Sequence, residues 1–262
     1  MKAIADRRHH RMAPAVLLLL ALLLTGAVYA ALSPTAAQAS APTAASEDDI
    51  AAGEALFRTN CATCHGPGAE GRDGFPSLIG VGAAAVDFQV STGRMPMQAT
   101  GPQAPAKPPV FDDEQISQLA AYVASLAPGP AIPTADQVDP AAGDAANGMA
   151  LFRTNCAMCH GSIGRGGALT EGKYAPSLSG TAPTQIYEAM LTGPSSMPVF
   201  NDANITPEEK RDIIAFLDEQ KQGSPGGADL GAVGPVSEGL WVWVVGMGLL
   251  LGAAVWIGAK SA

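Results

Sequence analysis

The chain has 262 residues, of which 47% are hydrophobic and only 5% aromatic, with a formal net charge of −9. That length accommodates one large domain or two small ones. An acidic balance, with 10 Lys and Arg against 23 Asp and Glu over residues 33–239, argues against nucleic acid as a partner. So few large side chains would leave small domains with thin cores, and a buried cofactor would help to fill them.

The N-terminus carries Lys2, Arg7, Arg8 and Arg11, then an apolar stretch from Ala13 to Leu32. Residues 1–39 read as a signal peptide or an N-terminal membrane anchor. The length suits a span of roughly 20 residues, whereas Ala37-Gln38-Ala39 has the small-x-small form of a cleavage site. Either reading sends the residues that follow across a membrane.

The middle of the chain is a duplication. The segment Gly53 to Gly66, GEALFRTNCATCHG, recurs as Gly148 to Gly161, GMALFRTNCAMCHG, with twelve of the fourteen positions identical. Repeats of this kind mark two copies of one structural unit, placed at 46–127 and 145–222. A Pro, Ala and Gly-rich stretch at 128–144 reads as a semi-stiff linker.

Each unit is expected to open with a short helix. Asp48 or Asp49 can cap the first and Asp144 the second. A long Gly and Pro-rich excursion with little periodicity follows the repeat, then a closing helix. Asp112 and Gln115 form a capping-box pattern ahead of Ile116, Leu119, Val123 and Leu126. Thr206, Pro207 and Glu209 give cap, first-turn proline and box acid ahead of Ile213, Phe216 and Leu217. So long an irregular loop in so small a unit is reasonable if it wraps a cofactor.

A Gly-rich linker at 223–238 leads to an apolar run at 239–259, followed by Lys260. Trp241, Trp243 and Trp256 lie near its two ends, as amphipathic rings do at membrane interfaces. It reads as a transmembrane helix, and the basic residues at 2–11 and 260 predict both termini inside.

All four cysteines fall in two Cys-x-x-Cys-His motifs, Cys61, Cys64, His65 and Cys156, Cys159, His160. This spacing is the attachment signal for haem c: two thiols on one turn add to the two vinyl groups, and the adjacent histidine reaches the iron. A zinc site would need the cysteine pairs close enough to share a metal. A redox Cys-x-x-Cys needs no histidine after it, and a disulfide at this spacing is uncommon. Two covalently bound haems c are therefore expected. The remaining histidines, His9 and His10, precede the N-terminal apolar run, so methionine is the natural second axial ligand. Met95 and Met197, each followed by proline, lie between the attachment motif and the closing helix. Met97 competes with Met95. Arg72, Arg94, Arg165 and Lys173 are candidate partners for haem propionates.

At these residues the chain resembles class I cytochrome c domains in tandem, a mainly α fold with an N-terminal signal or anchor helix and a C-terminal transmembrane helix added. The resemblance implies that Gly53 and Phe57 face Leu119 and Tyr122, and that Gly148 and Phe152 face Ile213 and Phe216. It also implies that the carbonyls of Pro76 and Pro176 accept from the axial histidines, with the second loop five residues longer. The whole arrangement resembles the dihaem cytochrome c subunit of the actinobacterial cytochrome bcc complex, a menaquinol–cytochrome c reductase. That resemblance implies a cytochrome b subunit, a Rieske iron–sulfur subunit and a terminal oxidase as partners, haem domains on the extracytoplasmic side of the cell membrane, and a relay role with no substrate site in this chain. The alternative is an independent anchored dihaem carrier serving an oxidase or a periplasmic dehydrogenase. A dihaem peroxidase would need an open iron, which ligation by both Met95 and Met197 denies.

Overall fold

The computed structural model describes residues 13–32, 45–99, 101–222 and 235–260. The basic N-terminal residues, the Ala37-Gln38-Ala39 segment and most of the 223–238 linker lie outside these. The apolar N-terminal run is one helix, α1 (Ala13–Leu32), which both readings of that segment require. It belongs to a unit of its own, ending at Ala45.

The first repeat opens with α2 (Glu47–Asn60) and a single turn, α3 (Ala62–His65). It continues through α4 (Gly82–Ser91) and closes with α5 (Asp113–Leu126). The second repeats the plan, with α7 (Ala145–Asn155), α8 (Ala157–His160), α9 (Pro183–Thr192) and α10 (Pro207–Lys221). Between them stands the short helix α6 (Ala135–Val138) and a 3₁₀ turn, Pro140–Ala142. The molecule is mainly α. Among the described residues, the strands are a two-residue antiparallel pair, β1 (Gly167–Ala168) and β2 (Tyr174–Ala175).

Helix starts follow their caps. Asp112 accepts from the Gln115 amide at 2.9 Å while Gln115 returns a bond to the Asp112 amide. Thr206 and Glu209 do the same at α10, and Asp144 accepts from the Ala146 and Asn147 amides. At α2 the cap is Ser46, not Asp48 or Asp49: its Oγ accepts from the Asp49 amide at 3.1 Å. Glu47, Asp48 and Asp49 instead occupy the first turn, where negative charge meets the positive end of the helix dipole.

In each unit the first helix crosses the last at a glycine. A Cβ on Gly53 would stand 2.0 Å from the Gln118 carbonyl oxygen, and one on Gly148 1.9 Å from that of Asp212. Only a missing side chain permits this approach. One turn on, Phe57 meets Tyr122 with ring centroids 5.3 Å apart, and Phe152 meets Phe216 at 5.4 Å. These tilted pairs sit in the two buried clusters, which also hold Leu119 and Val123 in the first unit and Ile213 and Leu217 in the second.

The stretch between the repeats is not a free tether. Pro130 accepts from the Ala84 amide at 3.1 Å, Gln137 donates to the Tyr187 hydroxyl at 3.2 Å, and Arg211 donates to the Asp136 carbonyl. α6 and the 3₁₀ turn pack on α10. A composition that reads as linker is thus spent on contacts with both units. The irregular excursions are likewise broken by α4 and α9, which pack against each other. Glu188 of α9 is fully buried in that seam, and Asp87 of α4 faces it electrostatically.

α11 (Pro235–Lys260) contains the C-terminal apolar run. Its Gly239–Lys260 segment is long and apolar enough to cross a membrane, with a mean hydropathy of 2.1 and no burial within the chain. Lys260 lies over the Trp256 ring at 4.6 Å, an interfacial pairing of cation and aromatic face.

Candidate functional site

The two cysteine motifs are built alike. α2 ends at Cys61, whose amide still reaches the Phe57 carbonyl at 2.8 Å, and the chain kinks there into the one-turn helix that delivers His65. Cys156 repeats this with Phe152 and delivers His160. The kink sets both thiols and the histidine on one short segment against the aromatic core residue.

His65 Nδ1 lies 2.9 Å from the Pro76 carbonyl oxygen, and His160 Nδ1 lies 3.0 Å from that of Pro176. A carbonyl only accepts, so the ring nitrogen donates and Nδ1 carries the proton. Nε2 is then the nitrogen left with a lone pair, held in orientation for a metal. The spacing from histidine to proline is 11 residues in the first unit and 16 in the second. The five extra residues are absorbed in the β1–β2 ribbon, so the proline returns to the same place. Both loops turn at matched glycines: the Gly71 amide donates to the His65 carbonyl and the Gly166 amide to the His160 carbonyl, each at 2.7 Å.

A cavity of about 230 Å³ lies beside the first motif, lined by Cys61, His65, Pro76 and Met95 with apolar neighbours that include Phe57, Leu119 and Val123. A larger one, of about 510 Å³, is lined by Cys156, Cys159, His160, Pro176 and Met197. The structure therefore brings each motif's histidine together with one of the two methionines singled out in sequence. Met97 is absent from the first cavity and is 37% exposed. Met158, inside the second motif, is 95% exposed.

Loop anchors place the methionines. The Met95 amide donates to the Gln89 carbonyl at 2.9 Å, and Lys107 donates through Nζ to the Pro96 carbonyl at 2.6 Å. Gly93, at φ 65°, lets the Lys107 carbonyl approach where a Cβ would stand 1.9 Å away. The Met197 amide donates to the Pro194 carbonyl, and the Phe200 amide to Met190.

Burial pushes the Cys61 and Cys156 thiols up to about 11, with the neighbouring cysteine adding to the effect. Desolvation holds His160 below its ordinary value, opposed by the bond to Pro176. Near neutral pH both thiols are protonated and His160 is the neutral imidazole. Among the described residues, no group of three or more His, Cys, Asp or Glu side chains converges. Cys61 lines one cavity and Cys156 and Cys159 the other, which is not how a shared zinc centre is built.

Largely apolar cavities, each with a pinned histidine, a thioether and a motif thiol (Cys61 at the first, Cys156 and Cys159 at the second), suit a flat apolar macrocycle tethered through sulfur. Of the cations named as propionate partners, Arg72, Arg165 and Lys173 line neither cavity. Arg165 donates to Ser179 Oγ, and Lys173 pairs with Glu171 at 3.4 Å. Arg94 lines a cavity, but that of the other unit. The second cavity is in fact walled partly by Phe88, Ser91, Thr92, Arg94, Gln103 and Ala106 of the first unit. Nothing in the sequence signals that sharing, because it depends on how α4 meets α9.

Fold and cavities together define a tandem cytochrome c-type protein. The family model described as cytochrome c oxidase, cbb3-type, subunit III matches residues 48–123 and 143–217, one match per unit. The chain is 44% identical to the cytochrome bc1 complex cytochrome c subunit of Corynebacterium efficiens, over 99% of this chain and 94% of that protein. It is 45% identical to the protein of the same name from Mycobacterium tuberculosis, over 97% of this chain and 93% of that one. The cbb3-type cytochrome c oxidase subunit FixPc of Rhizobium leguminosarum shares 38% identity over only 45% of this chain and 42% of its own length. The chain belongs to the family of cytochrome bc1 complex cytochrome c subunits, membrane-associated electron-transfer proteins, and the cbb3-type likeness is partial.

Proposed function

We propose that the chain holds two haems c and serves as the electron relay of a quinol–cytochrome c reductase. Cys61 and Cys64 tether the first haem and Cys156 and Cys159 the second. His65 and Met95 are the axial ligands at the first site, His160 and Met197 at the second. When bound, haem supplies a one-electron ferric–ferrous couple, whose potential a histidine–methionine pair raises. The chain's own residues do the rest. The Pro76 and Pro176 carbonyls orient the imidazoles, the Gly93 and Pro194 turns present the thioethers, and the apolar walls exclude water.

The observation that carries this reading is the convergence, twice, of a carbonyl-pinned histidine, a motif cysteine and a loop methionine on one apolar cavity. Electrons enter from a Rieske iron–sulfur subunit beside a cytochrome b subunit and leave to a terminal oxidase. Both haem units lie on the extracytoplasmic side, anchored by α11. Quinol oxidation belongs to the complex, not to this chain.

Two measurements test it. The intact mass of the purified chain should exceed the polypeptide mass by two haems, and affinity isolation should bring a cytochrome b with it. A chain of polypeptide mass alone would refute the cofactor assignment. A dihaem chain that purifies without cytochrome b would refute the assignment to the complex.

A further inference from the structure

Arg94 and Met95 are adjacent in sequence but serve different cavities. Met95 lines the first with His65, whereas Arg94 lines the second with His160 and Met197. Its guanidinium carbon stands 4.8 Å above the Phe88 ring centroid, and Phe88 lines that same cavity. Among the described residues, Arg94 is the one Lys or Arg lining either cavity, and no Asp or Glu lines either. No carboxylate pairs with it there. Burial depresses its basicity, opposed by the Tyr174 phenol and by no carboxylate. A half-buried cation on the wall of a largely apolar cavity, with no carboxylate beside it, is costly unless the cavity's occupant supplies the counter-charge.

Hydrogen bonds around the same cavity join the two units. Gln103 donates through Nε2 to the Tyr174 carbonyl at 3.0 Å and accepts from the Tyr174 amide at 2.9 Å. Gln185 donates to Ser91 Oγ at 3.3 Å. Gln103, Tyr174, Ser91 and Gln185 all line the second cavity. The second unit's two cations named as propionate candidates, Arg165 and Lys173, are engaged elsewhere.

We propose that Arg94 of the first unit is a positioning residue for the cofactor of the second: its guanidinium neutralises a propionate of the haem tethered at Cys156 and Cys159. This rests on the two-haem reading. The planar fork of arginine matches a carboxylate in two parallel bonds. A nearby positive charge favours the ferrous form, which carries one positive charge fewer, so Arg94 raises the potential of the second haem. Each haem is then conditioned by the same two-residue step, one through the thioether of residue 95 and one through the charge of residue 94.

The test uses the full chain as purified, with Arg94→Gln, Arg94→Lys and Met197→His. Peptide mass first counts haem at each cysteine pair; a native chain lacking either haem fails the two-haem reading, whatever Arg94 does. Potentiometric titration then follows both haems, with Met197→His marking the second wave. Arg94→Gln should move that wave to lower potential and leave the first in place, and Arg94→Lys, which keeps the charge, should recover most of the shift. An unmoved second wave, a shift confined to the first, or no recovery by lysine overturns the proposal. If Arg94→Gln assembles with one haem, loss at Cys156 and Cys159 that lysine restores supports it, and loss at Cys61 and Cys64 overturns it.

Discussion

Gly53 lies against the backbone of Gln118, so close that a methyl group in its place would collide with a carbonyl oxygen and with Tyr122 Cβ. Neither neighbour is the free end of a flexible side chain, so α2 and α5 would have to separate. Alanine gains about 1 kcal/mol over glycine in helix propensity, but overpacking a close crossing costs about 1–3 kcal/mol. Losing the Phe57–Tyr122 contact adds to that cost. Gly53→Ala should therefore destabilise the first unit, while the exposed Ala51→Gly should cost only about 1 kcal/mol. Thermal melts of the two variants check the order.

Lys210 is a buried cation with two partners. Its Nζ donates to Asp202 at 2.6 Å and to the Ile205 carbonyl at 2.8 Å, and it stands 5.6 Å from the Tyr187 ring centroid. These bonds tie the 201–205 turn, which follows Met197, to α10. Lys210→Met leaves the Ile205 carbonyl without its donor and should cost about 1–3 kcal/mol. Asp202 is well exposed, and asparagine keeps an acceptor there, so Asp202→Asn should cost less. Denaturant titration of both variants gives the comparison.

The seam between α4 and α9 makes stability depend on pH. Burial and the Asp87 carboxylate push Glu188 up to about 9, and burial raises Asp87 as well. The folded chain thus keeps protons that the unfolded chain releases above the ordinary carboxylate range. Their contribution is fully present below about pH 4.5 and is lost as pH rises toward 9. Glu188→Gln should flatten the fall in Tm between these limits and raise Tm near pH 8. Melts across that range on the chain as purified would expose a failure, namely an unchanged slope.

Ligand identity separates Met95 from Met97 and tests Met197. Met197→His should retain both haems and lower the potential of one, because imidazole favours the ferric state more than a thioether does. Met97→Leu should change neither potential, since Met97 lies outside the first cavity. A shift in the Met97 variant would transfer the ligand role to that residue.

Much of the architecture is legible in sequence because it is local. The duplicated motif, the caps at Asp112 and Thr206 and the α1 run declare themselves through neighbours three or four residues away. The glycine–aromatic crossings follow from the family resemblance. Ser46 escapes notice because three acids follow it and compete for the role. α4 escapes because Gly82 to Val86 is small and apolar without a stripe, although Pro183 at the start of α9 is a usable signal. The 128–144 segment misleads because its order comes from Tyr187, Arg211 and Ala84, which composition cannot see. Most hidden of all is the sharing of the second cavity, a property of how two helices from different repeats meet.

That meeting has a symmetry. α4 and α9 each stand between a matched proline loop, Pro76 to Gly80 or Pro176 to Gly180, and a matched Thr-Gly pair, Thr92-Gly93 or Thr192-Gly193, so each repeat presents the same element to its counterpart. A contact between the same element of two copies is the pattern of a self-complementary association. The two repeats thus meet as the protomers of a homodimer do, with their chains joined end to end. The likeness stops at the cavities: among the described residues, the second takes part of its wall, Arg94 included, from the other copy, and the first takes none.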